Sequence, residues 1–355
     1  MTLHLGIDAW NLLHDKRGIG RYTRSILERW SQWDAHILHP YLIVPERIAW
    51  LRAGSYRRAA QMGHARVAYR GATSQLPLQA VWYPWNGMSW SSTFVNVASL
   101  HDASVFSLAP ADQALAEKKQ QPFRLAAQRA QRIITVSHFA KSDLIRYLGI
   151  DPSKIDVIYS GVDEVFHKAR ESATRSESRS YALFVGEPEQ RKGVDVLLHA
   201  ATLLPASLRN SIEIVLAGDS GEYQTPPVPP GIRVRKMGHV SDKELAQLYA
   251  GAAMLVYPSR YEGFGLPVLE AMAAGTPVIA SDIPSLREAA GDAAEFVPPG
   301  DAVALAAAIA RLLSDDDLAS RLRDRGTRRA AEFTWAEAAK QTLQTIQRAA
   351  EEGLA

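Results

Sequence analysis

The chain has 355 residues, of which 47% are hydrophobic and 22% charged, with a formal net charge of +2. This length holds two domains of ordinary size, each with its own core, and the composition is that of a globular protein. Cysteine is absent, which excludes a disulfide scaffold, a cysteine-ligated zinc site and a thiol nucleophile, and fits a reducing cytosol.

The opening Met1-Thr2-Leu3-His4-Leu5 has no basic n-region and reads as a first strand, not a signal peptide. No uncharged apolar run reaches the ~18 residues that span a bilayer, so a soluble or peripheral protein is expected. In chain order, buried strands are predicted at Leu3–Ile7, Ile37–Val44, Val81–Tyr83, Val95–Leu100, Ile133–Val136 and Ile155–Tyr159. A second series follows at Ala182–Val185, Ile212–Ala217, Ile232–Met237, Met254–Tyr257, Pro277–Ala280 and Ala294–Val297. Helices fall between most of them, among them Gly20–Ser31, Pro122–Gln131, Ala140–Leu148 and Gly193–Leu204. This alternation predicts an α/β protein with two doubly wound, Rossmann-like parallel-sheet domains. The polar stretch between Glu164 and Ser180 predicts their linker, giving domains over 1–166 and 181–333, a linker over 167–180 and a closing helix over 334–355.

Residues 1–165 carry 19 Lys and Arg against 13 Asp and Glu. Arg47, Arg52, Arg57, Arg58, Arg66 and Arg70 occur without an acid between them, interleaved with Trp50, Leu51, Tyr56 and Met62. A basic, amphipathic patch of this kind suits an anionic membrane surface, or equally a solvated helix face beside a strand edge. No nucleic-acid motif accompanies the charge, so no nucleic acid is expected as a partner.

Open parallel sheets bind ligands beyond the carboxyl ends of their strands, so the residues that follow the predicted strands carry the functional reading. Gly18-Ile19-Gly20 opens a helix and allows close approach of an anion or a sugar; the same pattern also makes a plain turn. His101-Asp102 ends a strand, where a histidine is either structural or bonded to a ligand. After the first strand of the second domain come Gly186 and, five residues on, Arg191-Lys192. Arg191 grips phosphate as a fork and Lys192 as a point charge, the alternative being a surface charge pair. Gly238-His239-Val240 closes another strand, with Ser241 or Asp242 as a helix N-cap. Glu262 and Glu270 flank the loop Gly263-Phe264-Gly265-Leu266, which opens into a helix with Pro267 as its first residue and Gly275 and Pro277 ending it. A helix N-terminus attracts phosphate, and carboxylates accept hydrogen bonds from sugar hydroxyls. Asp315-Asp316-Asp317 precedes a helix and reads as cap and dipole compensation; no residue set suits a hard metal, and no cofactor is expected.

Glu262 and Glu270, with seven residues between them, and the whole run from Glu262 to Ser281 resemble the paired-glutamate motif of the family 4 glycosyltransferases almost residue for residue. The resemblance covers nearly the whole chain, most specifically Gly238 to Gly300. It implies the GT-B fold, two Rossmann-like domains facing across a cleft, with a final helix crossing back to the first domain. It also implies transfer of a sugar with retention, by a front-face mechanism without an enzyme nucleophile or an essential metal. On the family's pattern, Arg191 and Lys192 hold the donor diphosphate, Glu270 the ribose, and Glu262 with Gly263, Phe264 and Gly265 the transferred sugar. Gly238, His239 and Val240 contact the base, Gly186 and Leu266 complete the donor set, and His101 bonds the donor sugar. Gly18 and Gly20 close on the diphosphate and help place the acceptor. One common variant has arginine directly after the strand glycine; here that place is Glu187, and the adjacent Arg191-Lys192 match the other variant. The second half is most similar to bacterial mannosyl- and rhamnosyltransferases of cell-surface polysaccharide assembly. A GDP-sugar donor such as GDP-mannose is thereby implied, with a UDP-sugar as the alternative, and a glycan or lipid-linked acceptor at the inner face of the membrane. Two rival expectations are a nucleotide-sugar epimerase of the same architecture and a catalytically silent sugar-nucleotide-binding subunit.

Overall fold

A computed structural model describes residues 2–13, 15, 18–33, 36–45, 64–171, 180–218 and 223–353. The chain forms two compact units, Met1–Gly161 together with Thr334–Ala355, and Val162–Phe333. In the first, β1 (Leu3–Asp8), β2 (Leu38–Val44), β3 (Arg66–Tyr69), β4 (Ala80–Tyr83), β5 (Val95–Ser99), β6 (Arg132–Thr135) and β7 (Ile155–Val157) form one parallel sheet. Its order is β3-β2-β1-β4-β5-β6-β7. In the second, β8 (Tyr181–Val185), β9 (Glu213–Ala217), β10 (Val234–Gly238), β11 (Met254–Tyr257), β12 (Val278–Ser281) and β13 (Glu295–Val297) are also all parallel, in the order β10-β9-β8-β11-β12-β13. The strand order reverses between β1 and β4 in one sheet and between β8 and β11 in the other. Ligands of doubly wound sheets bind at such switch points, beyond the carboxyl ends of the strands.

Sheets covered by helices on both faces need near-continuous apolar strands, and most predicted runs are buried as such; the run predicted at Ile232–Met237 is the exception, for β10 lies at the sheet edge with Arg235 and Lys236 exposed. Two further particulars differ from the sequence reading. β3 was not predicted; it is four residues long, with its first and last residues exposed and neither inner one fully buried, so no apolar run marks it. The helix predicted from Pro122 runs over Gln113–Arg129 with that proline inside it. Asp112 caps the helix by accepting from the Leu115 N–H at 3.2 Å, and Ala116, Phe123 and Ala126 bury one face. That face carries the helix past the one hydrogen bond the proline removes.

The expected linker also begins later than predicted. Glu164–Glu171 is a helix of the second unit, with Phe166 fully buried and its ring 5.8 Å from that of Tyr249. One aromatic anchor is enough to fold a stretch that is otherwise polar; residues 172–179 lie outside the described ones. The last helix, Trp335–Glu352, packs within the first unit, where the Trp30 indole donates to the Ala339 carbonyl at 2.9 Å. Among the described residues no helix is long and apolar enough to cross a membrane.

Candidate functional site

The second unit gathers most of the predicted site at its switch point. After β8, the chain turns at Gly186 (φ 132°), forms one 3-10 turn over Gln190–Lys192, and passes through Gly193 (φ 73°) into the helix Val194–Leu203. After β11 the loop Pro258–Gly265 leads into the helix Leu266–Ala273, with Pro267 at its second position, one later than predicted. The two loops touch through their backbones: a Cβ on Gly193 would lie 2.2 Å from the Pro258 carbonyl oxygen, so only glycine fits there. The Arg260 N–H donates to the Arg191 carbonyl at 2.7 Å, and the Arg260 guanidinium clasps Asp195 at 2.7 and 3.0 Å.

This clasp sets the Glu262 carboxylate among cations. Lys192 Nζ lies 2.7 Å from Glu262 Oε1 and donates to the Tyr257 hydroxyl at 2.9 Å. Arg191 reaches Glu262 Oε2 at 3.4 Å and Glu189 at 2.6 Å. The Lys192 and Glu262 side chains are only 12% and 9% exposed, so these charges act at low effective dielectric. Burial alone would raise the Glu262 carboxyl, but Lys192 and Arg191 together outweigh it and hold the group below the usual carboxylate range. Burial works against the Arg191 guanidinium too, and Glu262 and Glu189 more than restore its charge. The result is two fixed cations beside a glycine-lined turn, an arrangement suited to a diphosphate.

Gly186 and Gly238 sit at the carboxyl ends of β8 and β10, the two strands that flank β9, and between them at the end of β9 lies Gly218, which the sequence reading missed. The Gly186 N–H donates to the Ala217 carbonyl and the Gly218 N–H to the Gly238 carbonyl, both at 2.8 Å. All three have positive φ, and a Cβ on Gly218 would come 3.1 Å from the Gly186 nitrogen. The clue in the sequence was a glycine directly after an apolar strand. His239 is exposed and Val240 half-buried beyond them, and Ser241 caps the next helix through a capping box with Glu244. In the second loop Gly263 and Leu266 are half-buried, while Gly265 (φ 128°) caps the helix. Phe264 turns its ring into the core, 5.6 Å from Phe333, and so has only its main chain to offer a ligand. Glu270 is 4% exposed and accepts from the Tyr249 hydroxyl at 3.1 Å, a partner that sequence spacing did not suggest.

Three predicted residues belong to the first unit. Gly18 and Gly20 lie in the first turn of the helix Gly18–Ser31. A Cβ on Gly20 would sit 1.8 Å from the Asp15 carbonyl oxygen, so that glycine serves the loop's own packing, whereas Gly18 faces open space. His101 stands edge-on to Tyr22 of the same helix at 4.6 Å. Its Nε2 lies 3.3 Å from the Pro84 carbonyl, which can only accept, so Nε2 carries the proton and Nδ1 is an acceptor. Burial lowers this imidazole below its ordinary value, and it is neutral at physiological pH. Asp102 accepts from the N–H and the hydroxyl of Ser104 and so orders the loop that follows the strand.

The basic patch changes character in the structure. Arg47, Arg52, Arg57 and Arg58 lie outside the described residues, and Arg66 is exposed on β3. Arg70 is not a solvated charge: it pairs with buried Asp8 at 3.1 Å and stacks over Trp90 at 5.1 Å. Asp315 caps the helix Asp316–Ala330, accepting from the Leu318 N–H at 2.8 Å.

Two family models adjoin along the chain: Glycosyltransferase Family 4 over residues 80–166 and Glycosyl transferases group 1 over 165–329. The O-antigen chain mannosyltransferase B of Escherichia coli is 34% identical over 263 residues, covering 70% of this chain and 68% of that protein. The MMP alpha-(1->4)-mannosyltransferase of Mycolicibacterium hassiacum is 34% identical over 230 residues, 63% of this chain and 55% of that one. Anabaena HepE, solved in complex with UDP-glucose, shares the fold with a TM-score of 0.70 at 16% identity, over 98% of this chain and 100% of its own. The family models and the shared length of the Escherichia coli relative place this chain among the family 4 glycosyltransferases.

Proposed function

We propose that the protein transfers mannose, with retention of configuration, from GDP-mannose to a hydroxyl of a growing cell-surface glycan or a lipid-linked saccharide. The observation that carries this reading is the paired Arg191 and Lys192 beside Glu262 at the β8/β11 switch point. A sugar nucleotide leaves its diphosphate behind as the glycosidic bond breaks, and fixed cations lower that barrier. In a front-face reaction the departing β-phosphate oxygen takes the acceptor proton, so no enzyme nucleophile enters. Glu270, held by Tyr249, bonds the ribose; Gly186 and Gly238 to Val240 line the diphosphate and base; Glu262 and the main chain of Gly263 to Leu266 bind the sugar. In the first unit, His101 accepts from a sugar hydroxyl through Nδ1, and Gly18, which faces open space, helps seat the acceptor. The choice of mannose rests on what the two curated relatives are named for. A UDP-sugar is the second reading, favoured by the UDP-glucose bound to Anabaena HepE.

The test is incubation with GDP-mannose, UDP-glucose and related donors in the presence of glycan and lipid-linked acceptors, with and without EDTA. Free GDP plus a glycosylated acceptor, undiminished by EDTA, is expected. An isomerised donor would establish an epimerase instead, and tight binding without turnover a silent subunit. A lipid-linked acceptor would bring the protein to the inner face of the membrane, and sedimentation with anionic liposomes would read that association.

The Arg260–Asp195 clasp is expected to matter to rate more than to stability. An ion pair this exposed contributes at most ~1 kcal/mol to folding, yet it fixes the loop that carries Glu262. Asp195→Asn should lower turnover about tenfold with little change in Tm, and reversing the pair (Asp195→Arg with Arg260→Asp) should restore most of it. Turnover unchanged by Asp195→Asn would show that the backbone contacts alone hold the loop.

A further inference from the structure

The cations meant for the diphosphate already have an anion of their own. Arg191, Lys192, Glu189 and Glu262 are two positive and two negative charges joined by contacts of 2.6, 2.7 and 3.4 Å. Glu262 alone touches both cations, and it is as buried as Lys192. A diphosphate seated on Lys192 would compete with this carboxylate for the same N–H groups, and would bring two or more negative charges within contact of it. Like charges so close in a partly buried site cost several kcal/mol.

Resting on the donor-site reading above, we propose that Glu262 is a resident counter-anion of the diphosphate cradle, which surrenders Lys192 and Arg191 to the donor and thereby weakens retention of the nucleoside diphosphate left after transfer. The donor offsets the repulsion because its sugar bonds the displaced carboxylate through hydroxyls. The nucleoside diphosphate has no such sugar, so it meets the repulsion without compensation. One residue thus favours the donor over the spent nucleotide, a difference of affinities built by repulsion as much as by attraction. Tyr257 supports the exchange by keeping one acceptor on Lys192 while its carboxylate partner changes.

Calorimetry with GDP and with inorganic pyrophosphate tests this with no transferable sugar present. Glu262→Gln keeps the shape and removes the charge. It should tighten both ligands at least about tenfold, by the same factor, since neither base nor sugar is involved. Glu262→Asp, shorter by one methylene, should tighten them less, and provides a second variant if the first fails to fold. Lys192→Met should weaken both ligands in the wild-type and Glu262→Gln backgrounds alike. Unchanged or weakened pyrophosphate binding in both Glu262 variants, with Lys192→Met still damaging, would overturn the counter-anion and leave the donor site standing. Binding that is indifferent to Lys192→Met would instead remove the donor site as read.

Discussion

Lys192→Met is expected to lower the rate of sugar transfer at least ~100-fold, the scale of one lost transition-state contact. The Lys192 side chain is 12% exposed and its ammonium is fixed by two acceptors, Glu262 and the Tyr257 hydroxyl, so little reorganisation is needed when charge develops on the leaving phosphate. Methionine fills the same volume without charge and leaves Arg191, 3.4 Å from Glu262, as the remaining cation. Because Arg191 still faces the carboxylate, the variant should fold and melt only somewhat lower. Removing one partner of a fully isolated buried pair would cost ~3–5 kcal/mol. Kinetics should show kcat falling and kcat/KM falling further, because Lys192 grips the diphosphate before the bond breaks as well as during its departure. Lys192→Arg is not a neutral control, since a planar fork does not reproduce a point charge in this turn. Near-wild-type turnover by Lys192→Met would reject the assignment.

The parallel sheets could be read from the sequence because strands buried on both faces must be apolar throughout. Leu255 and Val256 on β11, and Leu183 and Phe184 on β8, are examples with no solvent face to disguise them. β3 could not be read in this way. It sits at a sheet edge, its side chains are half in water, and Arg66-Val67-Ala68-Tyr69 has neither an apolar run nor a turn signal. The helix Glu164–Glu171 was obscured for a related reason: with Phe166 and Ala169 buried among mostly charged neighbours, it resembles a linker in composition, and only the packing distinguishes the two.

At the site, residue types and spacing pointed to Glu262, Arg191 and Lys192, although 70 residues separate Lys192 from Glu262. What spacing could not supply was the network that joins them. Arg260 looked like one more loop charge, and its bond to Asp195 spans 65 residues. Tyr249 looked like a core aromatic, which it also is, and its hydroxyl reaches Glu270 from the preceding helix. Arg70 shows the same limit from the other side. Its sequence neighbours suggested a surface patch, whereas the strand order brings it to Asp8 at the end of β1. Burial there pushes the Asp8 carboxyl up to about 6, against the attraction of Arg70.

Trp335→Ala is expected to destabilise the first unit by about 3–5 kcal/mol, the usual range for a fully buried tryptophan. The residue begins the last helix, is 2% exposed, and sits edge-on to Tyr22 at 6.0 Å. Its indole N–H has no hydrogen-bond partner, so the loss is one of packing and cavity formation alone. The backbone of that turn is equally tight, for a Cβ on Gly161 would lie 2.1 Å from the Trp335 nitrogen, and no neighbouring chain can slide in to fill the space. The measurement has an internal reporter. All eight tryptophans lie within residues 1–161 or 334–355, so intrinsic fluorescence follows the first unit, while far-ultraviolet circular dichroism follows both. With a urea dependence of about 2–3 kcal/mol per molar, the fluorescence midpoint should fall by roughly 1–2 M. The part of the dichroism transition that belongs to Val162–Phe333 should stay where it is. A coincident fall of both signals would mean that the two units unfold as one, and an unmoved fluorescence midpoint would mean that the last helix adds nothing to the fold it returns to.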